Sequence, residues 1–391
     1  MDKGATIYIA GHRGLAGSAI IRRLKAAGYT NLTTATHADL NLERQTETED
    51  FFRREKPEYV FLAAAKVGGI HANSIYPADF IYKNLAIQTN IIHAAWQTGV
   101  KRLLFLGSSC IYPRACPQPM KEEYLFTGPL EPTNQPYAVA KLAGIIQCEA
   151  YNRQYGTRYL AIMPTNLYGP NDNYDLQNSH VLAAFIRKFH LAKLAVKGEW
   201  DDIRKDESYY GPIPKDFYGN LILLSEKNGH GHPSQPSNEK KQKNNSSEGK
   251  QSPKAAVPIW GTGNAYREFL HVDDMADACL FIMNLNDPVF DSLCTGRFES
   301  MPDEGLLPLI NIGIGSDQTI SELADRIAKI IGYNGEVIWD QSMPDGMPKK
   351  MLDSSRLAKL GWVPSIYLTE GVKRTYQSYK EKIVPASETG V

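Results

Sequence analysis

Short apolar runs alternate with longer amphipathic stretches through the first half of the chain. Thr6-Ile7-Tyr8-Ile9-Ala10 reads as a strand, followed by a glycine-rich turn and a helical pattern to about Ala27, where Gly28 suits a helix end. Residues 32–34 read as a second strand, 43–54 as a helix and Tyr59-Val60-Phe61-Leu62 as a third strand. Residues 79–97 form a long helical pattern, Leu103-Leu104-Phe105-Leu106 a fourth strand, 137–155 another helix, and Tyr159-Leu160-Ala161-Ile162 the next strand. The strand runs are apolar throughout, so both faces of each are expected to be buried. That pattern predicts an α/β fold, a doubly wound (Rossmann) parallel sheet covered on both sides by helices.

Beyond about residue 179 the pieces shorten and Gly and Pro become more frequent, as expected of a smaller, substrate-binding region. The expected division gives residues 1–178, with returning segments near 259–283 and 309–315, to the nucleotide-binding domain, and most of 179–391 to the smaller region. Residues 195–256 read as an insertion. Its first part, 200–224, mixes charge with tyrosine and is able to order. Its second part, 225–256, is almost wholly Asn, Ser, Lys, Glu, Gly, Pro and Gln. Such a composition cannot bury enough apolar surface to offset its ordering entropy, so a mobile surface segment is expected. His230-Gly231-His232 within it reads as solvated linker rather than a metal site.

The 391 residues are 42% hydrophobic, enough for one large domain or two ordinary ones. Lysine plus arginine equals aspartate plus glutamate, 43 each, so no global charge recruits nucleic acid or an anionic membrane. No apolar run approaches the roughly 20 residues of a membrane span. Met1-Asp2-Lys3-Gly4 leads directly into a strand, without a signal-peptide pattern. Five cysteines, Cys110, Cys116, Cys148, Cys279 and Cys294, are sparse and form no Cys-x-x-Cys pair. They argue against a disulfide framework or a metal site and for a reducing cytoplasm.

Gly11-x-x-Gly14-x-x-Gly17 follows a strand and opens a helix, the placement in which glycines let the backbone approach a pyrophosphate at a helix N-terminus. The second strand ends in Thr34-Ala35-Thr36-His37, and Asp39 comes too late to hold a ribose 2′-hydroxyl. Arg13 is placed to meet a 2′-phosphate, which favours NADP. Ser108 and Ser109 follow the fourth strand, at the edge of a doubly wound sheet where ligands bind. Tyr137 and Lys141 stand one helical turn apart, and the ammonium is expected to lower the pKa of the phenol. Cys110 lies two residues past Ser108. His180 follows the Met163-Pro164-Thr165-Asn166-Leu167-Tyr168-Gly169-Pro170 loop. A thiolate and an imidazole so placed are able to move protons on opposite sides of a sugar. Cys116, Cys148, Cys279 and Cys294 lack such a context and read as structural.

These residues, with Ile9-Ala10-Gly11-His12-Arg13-Gly14, Leu62-Ala63-Ala64-Ala65-Lys66-Val67-Gly68-Gly69-Ile70, Leu106-Gly107-Ser108-Ser109-Cys110-Ile111-Tyr112-Pro113 and Arg267-Glu268-Phe269-Leu270-His271-Val272-Asp273-Asp274, resemble the extended short-chain dehydrogenase/reductases that act on nucleotide sugars. More narrowly, they resemble the GDP-L-fucose synthases, 3,5-epimerase/4-reductases. The resemblance covers nearly the whole chain except the insertion. It implies that GDP-4-keto-6-deoxy-D-mannose is converted to GDP-L-fucose by epimerisation at C3 and C5 and NADPH-dependent reduction at C4. Cys110 would be the base, His180 the acid, Tyr137 the proton donor to C4 oxygen, Lys141 its partner and Ser108 the holder of the ketone. Coenzyme contacts would come from Gly11, His12, Arg13, Gly14, Leu15, Ala16, Gly17, Leu106, Gly107, Ser108, Ser109, Lys141, Pro164, Thr165, Asn166, Leu167 and His180. Lys188, Trp260, Arg267 and Asp345 would hold the nucleotide sugar. The resemblance further implies a homodimer built on the helices near 79–97 and 137–155.

Three residues, in two places, depart from that family's pattern. Ala35 and His37 stand near the end of the second strand, where relatives often carry arginine, and Lys188 stands where arginine is common, keeping the charge without the bidentate fork. The insertion is open to two readings, a lid or a solvated segment, and its polar second half favours the latter. A 4,6-dehydratase would want Asp-Glu where Ser109-Cys110 stands, a simple 4-epimerase would not need Cys110 with His180, and a non-catalytic NADP-binding scaffold would need none of Ser108, Tyr137 and Lys141.

Overall fold

The computed structural model describes residues 1–231, 254–296, 307–343 and 345–383. The chain divides into two units. The first comprises Met1–Asp172, Ala265–Thr319 and Gly346–Thr375, and the second Asn173–Asn264, Ile320–Asp345 and Tyr376–Val391.

The first unit is built on strands β1 (Ile7–Ala10), β2 (Leu32–Thr33), β3 (Tyr59–Leu62), β4 (Arg102–Leu106) and β5 (Tyr159–Pro164). Their spatial order is β2-β1-β3-β4-β5, with Leu309–Ile312 completing a six-stranded sheet in which every neighbouring pair is parallel. The uniformly apolar runs are buried on both faces, as their composition requires. Side chains alternate across the strands. Ile7 and Ile9 enter one core with Ile20, Leu24, Met275 and Ile282, while Tyr8 and Ala10 enter the other with Phe51, Phe52, Ile91, Ile92 and Ile145. The sheet is therefore doubly wound, as predicted.

Its helices are α1 (Leu15–Ala26), α2 (Gln45–Glu55), α3 (Ile70–Ile75), α4 (Pro77–Gln97) and α5 (Gln135–Tyr155). Pro136 in the first turn of α5 suits a position whose N–H has no intrahelical partner. Further along, a Cβ on Gly144 would stand 2.6 Å from Cζ of Phe105 on β4 and 3.0 Å from Oε1 of Gln88 on α4. The missing side chain lets α5 settle close onto β4. Gln88 fastens the helix pair by donating from Nε2 to the Ala140 carbonyl at 2.6 Å.

A small second sheet centres on Tyr266–His271, which pairs antiparallel with Asp317–Thr319 and parallel with Lys349–Lys350 and with Asn166–Tyr168. In the second unit, α6 (Val181–Val196), α7 (Trp200–Tyr210) and α8 (Lys215–Lys227) lie beside a parallel pair, Val257–Trp260 with Val337–Asp340. Fully buried Arg187 on α6 anchors α7. Its Nε donates to Asp206 at 2.8 Å, and its remaining nitrogens reach the carbonyls of Tyr174, Tyr210 and Gly211. That network explains why the charged, tyrosine-bearing stretch after residue 200 orders. The polar stretch expected to be mobile at 225–256 begins inside α8, and its residues 232–253 lie outside the described residues, His232 among them.

Replacing Gly144 with valine is expected to lower stability by roughly 1–3 kcal/mol, because overpacking forces either Phe105 or the helix to move. Urea unfolding of the variant at wild-type midpoint would show that α5 does not depend on this close approach.

Candidate active site

The glycine loop forms a cradle that a larger residue would fill. Gly11 has φ +83°, and a Cβ there would stand 2.7 Å from the Ala64 nitrogen on the loop after β3. A Cβ on Gly17 would run into the Gly11 carbonyl. Gly14 is the N-cap of α1 and brings no side-chain cap, so the N–H groups of the first turn stay available to an anion. His12, Arg13 and Asp39 sense one another's charge beside Ala35. Burial first, then Arg13, pushes the His12 pKa down. Asp39 is taken up by a turn, accepting from the Thr36 hydroxyl at 2.6 Å and its N–H at 3.1 Å, and these bonds hold its pKa below the usual value. The glycine cradle and the uncapped first turn of α1 fit a dinucleotide pyrophosphate.

Four predicted catalytic residues come together in the first unit at the C-terminal end of β4. Gly107 donates its N–H to the Ile162 carbonyl on β5 at 2.8 Å, which fixes the start of the Ser108–Cys110 turn. Ser108 caps that turn, its Oγ accepting the Cys110 N–H at 3.3 Å. Ser109 is buried in the turn. Lys141, also buried, donates from Nζ to the Leu106 carbonyl at 2.8 Å and lies 4.7 Å from the centre of the Phe105 ring. Tyr137 hydrogen-bonds with Ser108 and sits near enough to Cys110 to sense its charge.

The electrostatics correct one expectation. The Tyr137 pKa is raised, not lowered: burial is the main cause, the neighbouring Cys110 adds to it, and the Ser108 hydrogen bond only partly opposes it. Lys141 does not offset this, because burial drives its own pKa down to about 7. Its nitrogen is 5.9 Å from the Tyr137 ring centre and spends its hydrogen bond on a carbonyl. Four-residue spacing correctly places the pair on one face but says nothing about the dielectric around it.

The loop after β5 is tied to the second sheet. Thr165 donates its hydroxyl to the Glu268 carbonyl at 3.2 Å and Asn166 its amide at 2.8 Å, while Pro164 ends β5 and Leu167 packs partly buried on the core. Arg267 sits next to Glu268 and donates to the Tyr266 carbonyl at 2.8 Å. Two residues of this region escaped the sequence reading. Glu268 is fully buried and accepts the N–H groups of Ile314, Gly315 and Leu352. Lys350 places Nζ 3.4 Å from Sγ of Cys110. Glu268 stood in a quoted motif without a role, and nothing in the local pattern marks Lys350.

His180, Lys188, Trp260 and Asp345 belong to the second unit. His180 is exposed at the N-cap of α6. Lys188 donates to the Pro258 carbonyl at 2.8 Å, and burial, only partly opposed by Asp216, lowers its pKa to about 8. Trp260 is 47% exposed at the end of its strand. Asp345 holds the turn that follows, accepting the Thr262 N–H at 2.8 Å and hydroxyl at 2.7 Å.

The chain matches the NAD dependent epimerase/dehydratase family over residues 7–205 and 224–291. It is 46% identical over 382 residues to GDP-L-fucose synthase 1 of Arabidopsis thaliana, covering 98% of this chain and 95% of that protein. It is 45% identical over 375 residues to the GDP-L-fucose synthase of Escherichia coli (strain K12), covering 96% of each. Among solved structures it is similar to a GDP-D-glycero-L-gluco-heptose synthase from Campylobacter jejuni in the presence of NADPH, with 36% identity, a TM-score of 0.78 and coverage of 97% of this chain and 99% of that one. A serine, tyrosine and lysine gathered at the end of a Rossmann strand, with a cysteine beside them and this likeness along the whole chain, place it in the NAD dependent epimerase/dehydratase family and, within it, among the GDP-L-fucose synthases.

Proposed function

We infer that the chain converts GDP-4-keto-6-deoxy-D-mannose to GDP-L-fucose by epimerisation at C3 and C5 followed by NADPH-dependent reduction at C4. The observation that carries this reading is Cys110 standing in the same cluster as Ser108 and Tyr137. A base for carbon acids and a donor for the carbonyl oxygen then serve one sugar.

The C4 ketone acidifies the hydrogens on C3 and C5. Cys110 removes each in turn as the thiolate, and Ser108 and Tyr137 hydrogen-bond the oxygen on which enolate charge collects. His180 returns a proton to the opposite face of the same carbon, inverting it. NADPH, when bound, supplies the hydride to C4. Tyr137, protonated at neutral pH, gives its proton to the C4 oxygen. Lys141, one helical turn from Tyr137, reaches the nicotinamide ribose. Gly11, His12, Arg13, Gly14, Leu15, Ala16 and Gly17 hold the coenzyme phosphates and adenosine, with Leu106, Gly107, Ser109 and the 164–167 loop lining its other end. Arg267 and Lys188 answer the charge of the GDP pyrophosphate, and Trp260 and Asp345 complete the nucleotide site.

A homodimer through α4 and α5 belongs to the same reading. Pro77, Ala78, Ile81, Gln135, Pro136 and Val139 line an open groove on these helices, and Tyr82 and Ile146 are exposed on them, an apolar surface of the kind that a second copy covers. Among the described residues no helix is long and apolar enough to cross a membrane. A cytoplasmic location fits five cysteines that are all free thiols.

Incubation with GDP-4-keto-6-deoxy-D-mannose and NADPH is expected to oxidise the coenzyme and yield GDP-L-fucose. Formation of an unepimerised 6-deoxyhexose alone would leave a plain 4-reductase. In Cys110→Ser, solvent-deuterium incorporation at C3 and C5 should fall by on the order of 10²–10⁴-fold with coenzyme binding kept, the span typical of a positioned acid or base. Exchange at the wild-type rate in that variant would remove Cys110 from the mechanism.

Lys141 also sets a pH dependence. Its pKa lies near 7 in the folded coenzyme-free protein and returns to about 10.4 on unfolding, so between those values the unfolded chain binds the extra proton. Stability from this group therefore rises with pH across that window. The stability difference between wild type and Lys141→Met, followed by urea unfolding, should shift in favour of wild type from neutral pH toward pH 10. A difference independent of pH would mean that Lys141 stays charged when buried.

A further inference from the structure

The geometry points to Lys350 as a positioning residue for Cys110, its ammonium holding the cysteine as the thiolate that takes protons from the sugar. This rests on the role proposed above for Cys110 and adds the group that makes the sulfur a base. Lys350 is 8% exposed, and its Nζ lies 3.4 Å from Sγ, within hydrogen-bonding range of sulfur. Among the described residues no carboxylate lies within 4.0 Å of that ammonium, whereas its neighbour Lys349 pairs with Asp317 at 3.2 Å. Two adjacent lysines thus point to different partners: one to an acid and one to the sulfur. A buried ammonium needs an anion or several acceptors, and a thiolate beside it gains from the same attraction.

The backbone holds Lys350 in place. Strand Lys349–Lys350 is in register with Tyr266 and Arg267. Immediately after it, the Met351 N–H donates to Oε1 of Gln118 at 3.0 Å and the Leu352 N–H to buried Glu268 at 3.0 Å. Met120 donates its N–H to the Met351 carbonyl at 2.8 Å and accepts the Asp353 N–H at 2.8 Å. Sγ is constrained from its own side by the Ser108 cap on the Cys110 N–H. The charged and titratable groups around the pair are Tyr137, whose pKa Cys110 raises, Arg267 in register with Lys350, and Glu268, whose oxygens are taken by backbone N–H groups.

Proton balance follows. The thiolate takes the C3 or C5 proton, giving a thiol and an enolate, and the acid on the other face supplies one proton to that carbon. The thiol then releases its proton to solvent, the acid takes one up, and the thiolate is restored for the second carbon. Lys350 keeps its three protons throughout.

The test compares wild type, Lys350→Met and Lys350→Arg by iodoacetamide alkylation at neutral pH, with Cys110→Ser as the background for the four buried cysteines. Alkylation of Cys110 and deuterium exchange at C3 and C5 should both slow by about tenfold or more in Lys350→Met, the effect of losing one close opposite charge. The KM for the GDP-sugar should change little, and Lys350→Arg should recover much of both rates. A Lys350→Met protein that binds NADPH and alkylates at the wild-type rate would overturn the proposal, as would a raised KM with unchanged alkylation. Should Lys350→Met not fold, the ultraviolet thiolate absorbance of wild type minus Cys110→Ser decides: its presence at neutral pH is expected, and its absence overturns the proposal. Undiminished exchange in Cys110→Ser would instead overturn the catalytic reading of the cysteine itself.

Discussion

The close approach of α5 to β4 is the constraint on which the chemistry depends. Tyr137, Lys141, Gly144 and Cys148 follow one another at helical steps of four, three and four, so they share the face turned to the sheet. Gly144 leaves room for the Phe105 ring, Lys141 then reaches the carbonyl at the end of β4, and Tyr137 arrives beside Ser108. None of these placements is independent of the others. A side chain at residue 144 would lift the helix, lengthen the Lys141 bond and carry the phenol away from the turn that holds Ser108 and Cys110.

That same burial sorts the proton-carrying groups. Half-buried Tyr137 keeps its proton and buried Lys141 is drawn toward the neutral amine, because desolvation penalises the charged form of each. The phenol is thereby held in its protonated state. In the same cluster Nζ of buried Lys350 stands 3.4 Å from Sγ of Cys110. Desolvation thus acts on Tyr137 and Lys141, while a lysine side chain is placed against the sulfur beside them, two different environments within one small volume.

Most of the sheet was legible in the sequence, since runs such as Tyr59-Val60-Phe61-Leu62 have no polar face and so must lie in the middle of a covered parallel sheet. The glycine loop and the Ser108, Tyr137 and Lys141 set were legible for a similar reason: short-range spacing carries them. The direction of the Tyr137 shift was not, because spacing reports adjacency while the pKa follows burial. Asp345 illustrates a second limit, its carboxylate being engaged with Thr262, some eighty residues earlier by about the reach that only a fold brings together. Lys350 lies on a strand of two residues whose partner strand is remote in sequence, too short to leave a period, and the return of Gly346–Thr375 to the first unit has no pattern of its own.

Glu268 shows how far the site's order depends on a residue with no step to perform. Its carboxylate gathers N–H groups from Ile314, Gly315 and Leu352, and its carbonyl takes the side chains of Thr165 and Asn166. Three segments far apart in the chain thus meet on one amino acid. Burial raises the carboxyl pKa and the N–H groups oppose it, so the cost of placing an acid there is offset by satisfying backbone donors that would otherwise be stranded. The strand that carries Glu268 also carries Arg267, and the segment it secures at Leu352 begins with Lys350. The buried carboxylate therefore helps to set the positions of both Arg267 and the Lys350 side chain that lies beside Cys110.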